Sequence, residues 1–145
     1  MADMRAVLRR VTVAQVMLTA FKTLAPDEPL FNAIELVQHG GQHEFPVTSD
    51  GHPIGMLTRD HLLHALSKRG PQSSVGDAME RDIEIVDPRA MLDEVFSRLE
   101  ARQFSAAPVV HDGRLIGLLT ANAVAEFLAI QAALDHTPAR VGPTR

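Results

Sequence analysis

The chain has 145 residues, 46% of them hydrophobic and 22% charged, and its formal net charge at pH 7 is −4. This composition is typical of a soluble globular protein, built as one domain or as two small units sharing a core. The acidic balance argues against nucleic-acid binding, which needs a clustered basic face. The lack of cysteine excludes disulfides and thiolate chemistry.

The ends of the chain carry no targeting signal that we recognise. No apolar run approaches the roughly 18 residues of a membrane-spanning helix, and the opening MADMRAVLRR has no apolar signal region. We therefore expect a cytoplasmic location. Residues 1–11 are predicted to form an N-terminal helical extension, and residues 135–145, with two Pro and one Gly, a disordered tail.

Between these ends the chain contains one sequence pattern twice. A shift of 62 residues aligns Thr12–Leu66 with Ser74–Leu128 without a gap over 55 positions, and DGHPIGMLT then falls on DGRLIGLLT. A gapless match of this length indicates an internal duplication, with too few copies for a solenoid. We place the two copies at residues 12–70 and 71–134.

Each copy is predicted to begin with two short elements. Thr12 and Ser74 are suited to cap short helices that end at Met17 and Met79. Phe21–Leu24 and Ile83–Val86 are then predicted to be short strands, stopped by proline. The next element is a helix, because apolar residues follow at i, i+3, i+4 and i+7. In copy 1 these are Leu30, Ala33, Ile34 and Val37, and in copy 2 they are Leu92, Val95, Phe96 and Leu99.

The second half of each copy is predicted to be a β-hairpin and a helix. The hairpin strands are Phe45–Thr48 with Ile54–Leu57, and Ala107–Val110 with Ile116–Leu119. The Asp-Gly pair between them favours a two-residue turn. The final helices are predicted at Arg59–Lys68 and Ala121–Leu134, with the linker Ser67–Ser74 between the copies.

These features resemble a tandem CBS domain pair, or Bateman module: a short helix ending in Val-Met or Ala-Met, a Pro-Val strand, Asp-Gly and Ile-Gly-x-Leu-Thr, all present twice. The resemblance implies an α/β (α+β) fold of two β-α-β-β-α units. Their three-stranded sheets would pack around a pseudo-twofold axis with two clefts between the copies. Such pairs commonly form homodimers, and many bind adenosine-containing ligands and regulate an attached protein.

A narrower likeness concerns the strings FPVTSDG, TRDHLLHAL and ANAVAEFLAIQAAL. They are similar to the CBS pairs at the C-terminus of bacterial site-2-protease-type membrane zinc metalloproteases. The likeness implies a catalytic membrane metalloprotease domain as partner, in a longer parent chain whose cytosolic part this would be. The zinc helix itself is not in this chain, because HEFPV lacks the second His of H-E-x-x-H.

The resemblance also implies where a ligand would bind. Thr58 and Thr120 each open a helix whose free amide groups suit phosphate. In nucleotide-binding relatives a carboxylate three residues later holds the ribose, whereas this chain has His61 and Ala123 there. Asp60 comes one residue early, and we expect it to reach a ribose only if the helix start is shifted.

We therefore expect the copy-1 cleft to be the better site and the ribose contact of copy 2 to be lost. Relatives that sense nucleotides also place basic residues before the Pro-Val strand, where this chain has His43 and Glu44. Glu44 would repel phosphate, so AMP or a neutral adenosine compound is favoured over ATP. The remaining candidate binding residues are Thr23, Phe45, Pro46, Ala107, Pro108 and Asn122.

Structural roles compete with each of these assignments. Thr58 and Thr120 are equally well explained as helix N-caps, and Phe45 as a core residue. His61 and His64 alone would make a poor zinc site, so no metal is expected. No nucleophile–base pair stands out, so the chain is not expected to be an enzyme. Two functions remain open: a sensor of an adenosine ligand, and a ligand-free module for dimerisation or docking.

Overall fold

The computed structural model describes residues 7–136, and its elements follow the predicted order in both copies. Copy 1 contains a 3-10 helix at Val13–Gln15, α1 at Leu30–Gly40, β1 at Glu44–Ser49, β2 at His52–Thr58 and α2 at Arg59–Arg69. Copy 2 contains α3 at Val75–Ala78, α4 at Leu92–Ala101, β3 at Ala106–His111, β4 at Arg114–Thr120 and α5 at Ala121–Asp135. The predicted α+β fold class is confirmed.

The two predicted terminal segments lie mostly outside the described residues. Of the extension, residues 7–11 are described, and Leu8 and Val11 are buried there. Of the tail, Asp135 is the last residue of α5, and the amide of His136 donates to the carbonyl of Ala132. The rest of both segments lies outside the described range, so these two predictions stay predictions.

Both hairpins have the predicted turn. β1 and β2 pair antiparallel, as do β3 and β4, and each pair contains one register irregularity. In the turns, φ is 53° at Asp50 and 82° at Gly51, and it is 51° at Asp112 and 77° at Gly113. Positive φ at both central residues gives a turn whose twist matches that of the strands, which is why the sequence places Asp-Gly there twice.

The predicted third strand of each sheet is reduced to one bridging residue. Leu24 pairs in parallel with Val47, and Val86 with Val109, beside two-stranded sheets. In copy 1 the pairing does not extend from Leu24 towards the N-terminus, because the side chain of Gln42 hydrogen bonds to both backbone groups of Lys22. Its Oε1 accepts from the Lys22 amide at 2.8 Å, and its Nε2 donates to the Lys22 carbonyl at 2.9 Å.

The copies exchange their first segments, which the repeat pattern did not predict. Val13 and Val16 of copy 1 are buried in the core of copy 2, together with Val95. Conversely, Val75 and Ala78 of copy 2 are buried in the core of copy 1. Each core is therefore incomplete without the other copy, and a unit of this size would bury too little apolar surface alone.

The exchanged segments explain the glycine of Ile-Gly-x-Leu-Thr. A Cβ at Gly55 would lie 2.6 Å from the sulfur of Met79 and 2.9 Å from the carbonyl oxygen of Glu80. A Cβ at Gly117 would lie 2.4 Å from the sulfur of Met17. Each strand thus needs glycine where the methionine of the other copy crosses it.

A small apolar cluster joins the two hairpins at the centre. Met56, Ala106 and Leu118 are buried there, with Phe21 and Ile83 packed against them. Within residues 7–136, no helix is both long and apolar enough to cross a membrane.

Candidate ligand-binding cleft

A cleft of about 600 Å³ opens between the copies, beside the start of α2. This volume falls within the range of small-molecule sites, roughly 300–1,000 Å³. Copy 1 contributes His43, Glu44, Met56, Thr58, Arg59, Asp60 and His61 to its lining. Copy 2 contributes Glu80, Asp82, Ile83, Arg102, Gln103, Phe104, Ser105, Ala106 and Asn122.

Five of the predicted binding residues line this cleft: His43, Thr58, Asp60, His61 and Asn122. Asp60 does so without any shift of the helix start, because α2 begins at Arg59, directly after Thr58. Lining the cleft is not the same as reaching a ribose, so the expectation that Asp60 reaches a ribose only from a shifted helix start stays a prediction.

The other predicted residues do not line the cleft. Phe45, Pro46, Ala107 and Pro108 are buried within the hairpins, and Phe45 belongs to the core of copy 1. Thr23 is exposed elsewhere on the surface. Thr120 is 5% exposed, and its hydroxyl oxygen accepts from the amide of Ala123 at 2.9 Å. These contacts support a structural role for both residues, with Thr120 as a helix cap and Phe45 as a core residue.

At the cleft mouth, Thr58 and His61 form a hydrogen-bonded pair. The Thr58 hydroxyl oxygen accepts from the His61 amide at 3.2 Å, which caps α2. The same oxygen lies 2.7 Å from Nδ1 of the His61 ring, and Nε2 of that ring lies 3.9 Å from a carboxylate oxygen of Glu80. His61 therefore connects the helix start of copy 1 to the first segment of copy 2.

Arg102 forms the opposite wall and is held by three groups. Its guanidinium donates to Asp82 at 2.5 Å and to Glu84 at 2.9 Å, and its carbon lies 4.5 Å from the centre of the Phe104 ring. Arg98 donates to Glu84 at 3.1 Å as well. These hydrogen bonds to Arg102 and Arg98 lower the pKa of Glu84. The result is a fixed planar cation over an aromatic ring.

Glu44 brings a half-buried carboxylate to the cleft. Burial raises the pKa of Glu44, and a hydrogen bond with Ser105 and the charge of nearby His43 offset part of that rise. The bond joins copy 1 to copy 2, as the His61–Glu80 contact does. Two polar links between the copies thus flank the same cavity.

The charge of the cleft favours ligands with few negative charges. Four carboxylates line it, on Glu44, Asp60, Glu80 and Asp82, against two guanidinium groups, on Arg59 and Arg102. With neutral histidines, four negative charges against two positive ones leave an excess of two negative charges in the lining. A triphosphate would meet strong repulsion here, whereas an uncharged nucleoside would not.

A second groove lies on copy 1, and it is smaller and differently lined. A groove of about 420 Å³ is lined by Ala20, Phe21, Lys22, Leu36, Gly40 and Gln42. Thr120, the counterpart of Thr58, is buried and does not line this groove, and Ala123 stands at the position of His61. The groove therefore has no carboxylate or imidazole in its lining with which to hold a ribose.

Several cleft residues were missed by the sequence analysis. Arg102 and its partners Asp82 and Glu84 are about 20 residues apart in the chain. No local spacing signals that they meet, because the bridging residue Val86 brings the two segments together only in the folded sheet. Ser105 was missed as well, because a lone serine before the Pro-Val strand carries no signal of its own.

Similarities to known proteins extend over most of the chain. It is 26% identical over 136 residues to hypoxic response protein 1 of Mycobacterium tuberculosis, covering 91% of this chain and 95% of that protein. It is 27% identical over 116 residues to protein MJ1225 of Methanocaldococcus jannaschii, covering 79% of this chain. The chain spans only 41% of the length of MJ1225.

Solved structures share the fold. A CBS domain pair of protein MJ0100, in complex with 5′-methylthioadenosine and S-adenosyl-L-methionine, gives a TM-score of 0.71 at 17% identity, covering 83% of this chain and 98% of that one. Hypoxic response protein 1 with two coordinated zinc ions also gives 0.71, at 23% identity, covering 80% of this chain and 98% of that one. Among residues 7–136 of the present chain, no three His, Asp or Glu side chains group closely enough to hold a metal.

The family assignment follows from both repeats together. The CBS domain model matches residues 13–68 and again residues 75–130, which are the two copies found by the internal alignment. The exchanged first segments and paired hairpins agree with this match. The chain belongs to the CBS domain family and contains a tandem pair of its domains.

Proposed function

We propose that this CBS pair is a regulatory module that binds one adenosine-containing small molecule in the cleft beside Thr58, and thereby modulates an attached or partner protein. The single observation that carries the proposal is the cleft itself. It joins the start of an 11-residue helix to groups of the other copy in one cavity of suitable volume. A ligand there would contact both copies and so could change how they pack.

The contacts available suit the parts of an adenosine compound. Amide groups of the first turn of α2 and the Thr58 hydroxyl can bind an anionic or polar 5′ group. Asp60, at the second helical position, can accept from the ribose hydroxyls. Ile83, Phe104 and Met56 provide apolar and aromatic surface for the base.

The charge of the lining points to the ligand class. An excess of two carboxylates favours AMP or a neutral adenosine compound over ATP. Arg102 can attract one anionic group, but it is already paired with Asp82 and Glu84. A further phosphate would have to compete with those two carboxylates.

The alternative is a ligand-free module for dimerisation or docking. It is supported by His61 at the position where relatives have a ribose-binding carboxylate, and by Glu44 in the cleft. A homodimer is also proposed under either function. Ile130 is 52% exposed and Leu134 is 60% exposed, one turn apart on α5, which gives that helix an apolar surface for a second copy.

The nature of the regulated partner is a proposal drawn from the likeness to the site-2-protease-type enzymes. A catalytic domain of that type, in a longer parent chain, would place this module on the cytosolic side of a membrane. The similarities to hypoxic response protein 1 and MJ1225 do not identify such a partner. We propose a binding role rather than catalysis for the present chain, because the Thr58 hydroxyl that contacts the His61 ring also serves as the cap of α2.

Thermal unfolding tests the proposed function directly. We would measure the midpoint with and without millimolar AMP, ADP, ATP, S-adenosylmethionine, NAD and 5′-methylthioadenosine. A ligand at a hundredfold its dissociation constant stabilises the folded state by about 2.7 kcal/mol, which is about 8 °C for a chain of this size. We expect AMP or an uncharged compound to raise the midpoint more than ATP.

Matched variants separate binding from general stability. Asp60→Asn should remove most of the ligand-induced shift while leaving the ligand-free midpoint nearly unchanged, because Asp60 is exposed. Asp27→Asn, at an exposed position outside the cleft lining, is the control and should leave the shift intact. If no compound shifts the midpoint of the wild-type protein, the ligand-free alternative replaces this proposal.

A further inference from the structure

We propose that the cleft binds anionic adenosine ligands together with a proton, and that His61 takes up this proton. The inference rests on the proposed function and adds to it a regulatory input, pH. It is carried by the geometry of three side chains: Thr58 at the helix cap, His61 above it and Glu80 on the other copy.

The hydrogen bonds of Thr58 depend on the proton count of His61. A hydroxyl has one proton to donate and two lone pairs that accept. One lone pair of Thr58 accepts from the His61 amide at 3.2 Å. The remaining contact, 2.7 Å to Nδ1 of the His61 ring, can run in either direction.

When His61 is neutral with its proton on Nε2, Nδ1 is an acceptor and the Thr58 hydroxyl donates to it. The hydroxyl proton is then used within the protein. When His61 is doubly protonated, Nδ1 donates to the Thr58 oxygen, which now accepts twice. The hydroxyl proton is released from the ring and can be donated to a ligand atom in the cleft.

Protonation of His61 therefore changes the cleft in two ways that favour an anion. It adds a positive charge to a lining with two excess carboxylates, and it frees the Thr58 hydroxyl as a donor. The protonated ring is stabilised by the Glu80 carboxylate, which lies 3.9 Å from Nε2.

The other charged groups around the cleft affect the size of this effect. They are His43 and Glu44 at the start of β1, Arg59 and Asp60 on α2, Glu80 and Asp82 before α4, and Arg102 after it. Of these, Glu44 has a raised pKa because of burial, and a hydrogen bond with Ser105 and the charge of His43 offset part of that rise. Neither Glu44 nor His43 alters the donor state of Thr58.

Two probes with fixed charge allow a clear test. Adenosine 5′-sulfate carries one negative charge throughout the range tested, and adenosine carries none. AMP is less suitable, because its phosphate titrates near about pH 6. We would measure both affinities by calorimetry from pH 8 to pH 6. We expect the sulfate to bind several-fold more tightly at pH 6 than at pH 8, and adenosine to change less than about twofold.

Variants assign the proton to His61. His61→Gln retains a side chain that can hydrogen bond Thr58 but cannot titrate, and it should remove most of the pH dependence for the sulfate. His64→Gln, one turn further on the exposed side of α2, should leave it unchanged. His43→Gln should leave most of the pH dependence in place, because the ring that contacts the Thr58 hydroxyl is that of His61.

The outcomes separate this inference from the function on which it rests. Binding of both probes with equal and flat pH profiles overturns the proton coupling and leaves the proposed function standing. No binding of either probe at any pH overturns both. Should His61→Gln unfold, nuclear magnetic resonance on the wild type decides: the titration midpoint of the His61 ring must rise when the sulfate is bound, and an unchanged midpoint contradicts the proposal.

Discussion

The two copies of this protein share the order and pairing of their main helices and strands but differ in the clefts beside them. Beside copy 1, Thr58 is half-buried and opens onto about 600 Å³ lined by charged groups. In copy 2, Thr120 is buried and serves as a helix cap. The second groove, of about 420 Å³, is lined by small, apolar and amide side chains of copy 1 with one lysine. Duplication preserved the order of elements in both copies, while the charged groups are concentrated in the lining of one cleft.

The difference arises from a few positions related by the 62-residue shift. His61 corresponds to Ala123, and Glu44 corresponds to Ala106. The network of Arg98, Arg102, Asp82 and Glu84 in copy 2 corresponds to Leu36, Gly40, Ala20 and Lys22 in copy 1. The residues that hold Arg102 beside the first cleft therefore have no counterparts that could hold a cation beside the second.

The largest expected effect concerns the two glycines at which the copies cross. Gly55→Ala should destabilise the fold by about 2–3 kcal/mol, because its Cβ would meet the backbone oxygen of Glu80 as well as Met79. Gly117→Ala should cost less, about 1–2 kcal/mol, because its shortest contact is to the flexible side chain of Met17.

Urea unfolding of both variants measures the two losses in the free energy of unfolding. Gly40→Ala is the control: Gly40 ends α1, and a methyl group added there would meet no atom within 4 Å, so alanine should be neutral or slightly stabilising. Equal stability of the wild type and Gly55→Ala would show that the exchanged segments do not cross as described.

The next effect concerns the two threonine caps. Thr120→Ala should lower the free energy of unfolding by about 1–2 kcal/mol, because the variant leaves the Ala123 amide without its partner in a buried setting. Thr58→Ala should cost about 1 kcal/mol, since water can reach the freed amide from the cleft. Chemical denaturation of both variants tests the order, and a larger loss for Thr58→Ala would contradict the assignment of Thr120 as the more structural of the two.

The smallest effect concerns the carboxylate of Glu44. Because its pKa is raised in the folded protein, its ionised form opposes folding: its contribution to stability is greatest below the ordinary value of 4.5 and falls as pH rises through the folded-state pKa. Glu44→Gln keeps a partner for Ser105 and should slightly raise the unfolding midpoint at pH 7, with the gain vanishing below about pH 4.5. Glu126→Gln, on the exposed side of α5, should show no such pH dependence, and a gain that persisted well below that pH would count against burial as the cause.

Much of the fold could be predicted because the repeat displays each local signal twice. The Asp-Gly turns, the apolar faces of α1 and α4, and the caps Ser74, Thr58 and Thr120 are all local in the chain. The exchange of first segments was not predicted, since Val13 and Val75 have the same apolar pattern whichever core they enter. The third strands were overestimated because short apolar runs before proline do not reveal how many backbone groups find partners.

The candidate site was only partly predictable for a related reason. Thr58, Asp60 and His61 lie in one motif, so the sequence identified them together. Arg102 and Glu80 reach the same cavity only through long-range pairing, and no spacing in the sequence indicates it. Phe45 and Ala107 were candidates by position in the motif, but strand alternation turns their side chains into the cores.

The central claim is that one cleft of two binds a ligand, and the stoichiometry of adenosine binding tests it most directly. Ser105→Phe places a ring in the first cleft, and Ala20→Phe places one in the second groove; both positions are exposed. Calorimetry should give one adenosine per chain, with binding lost in Ser105→Phe and kept in Ala20→Phe. Two sites per chain, or loss of binding in Ala20→Phe alone, would contradict the account.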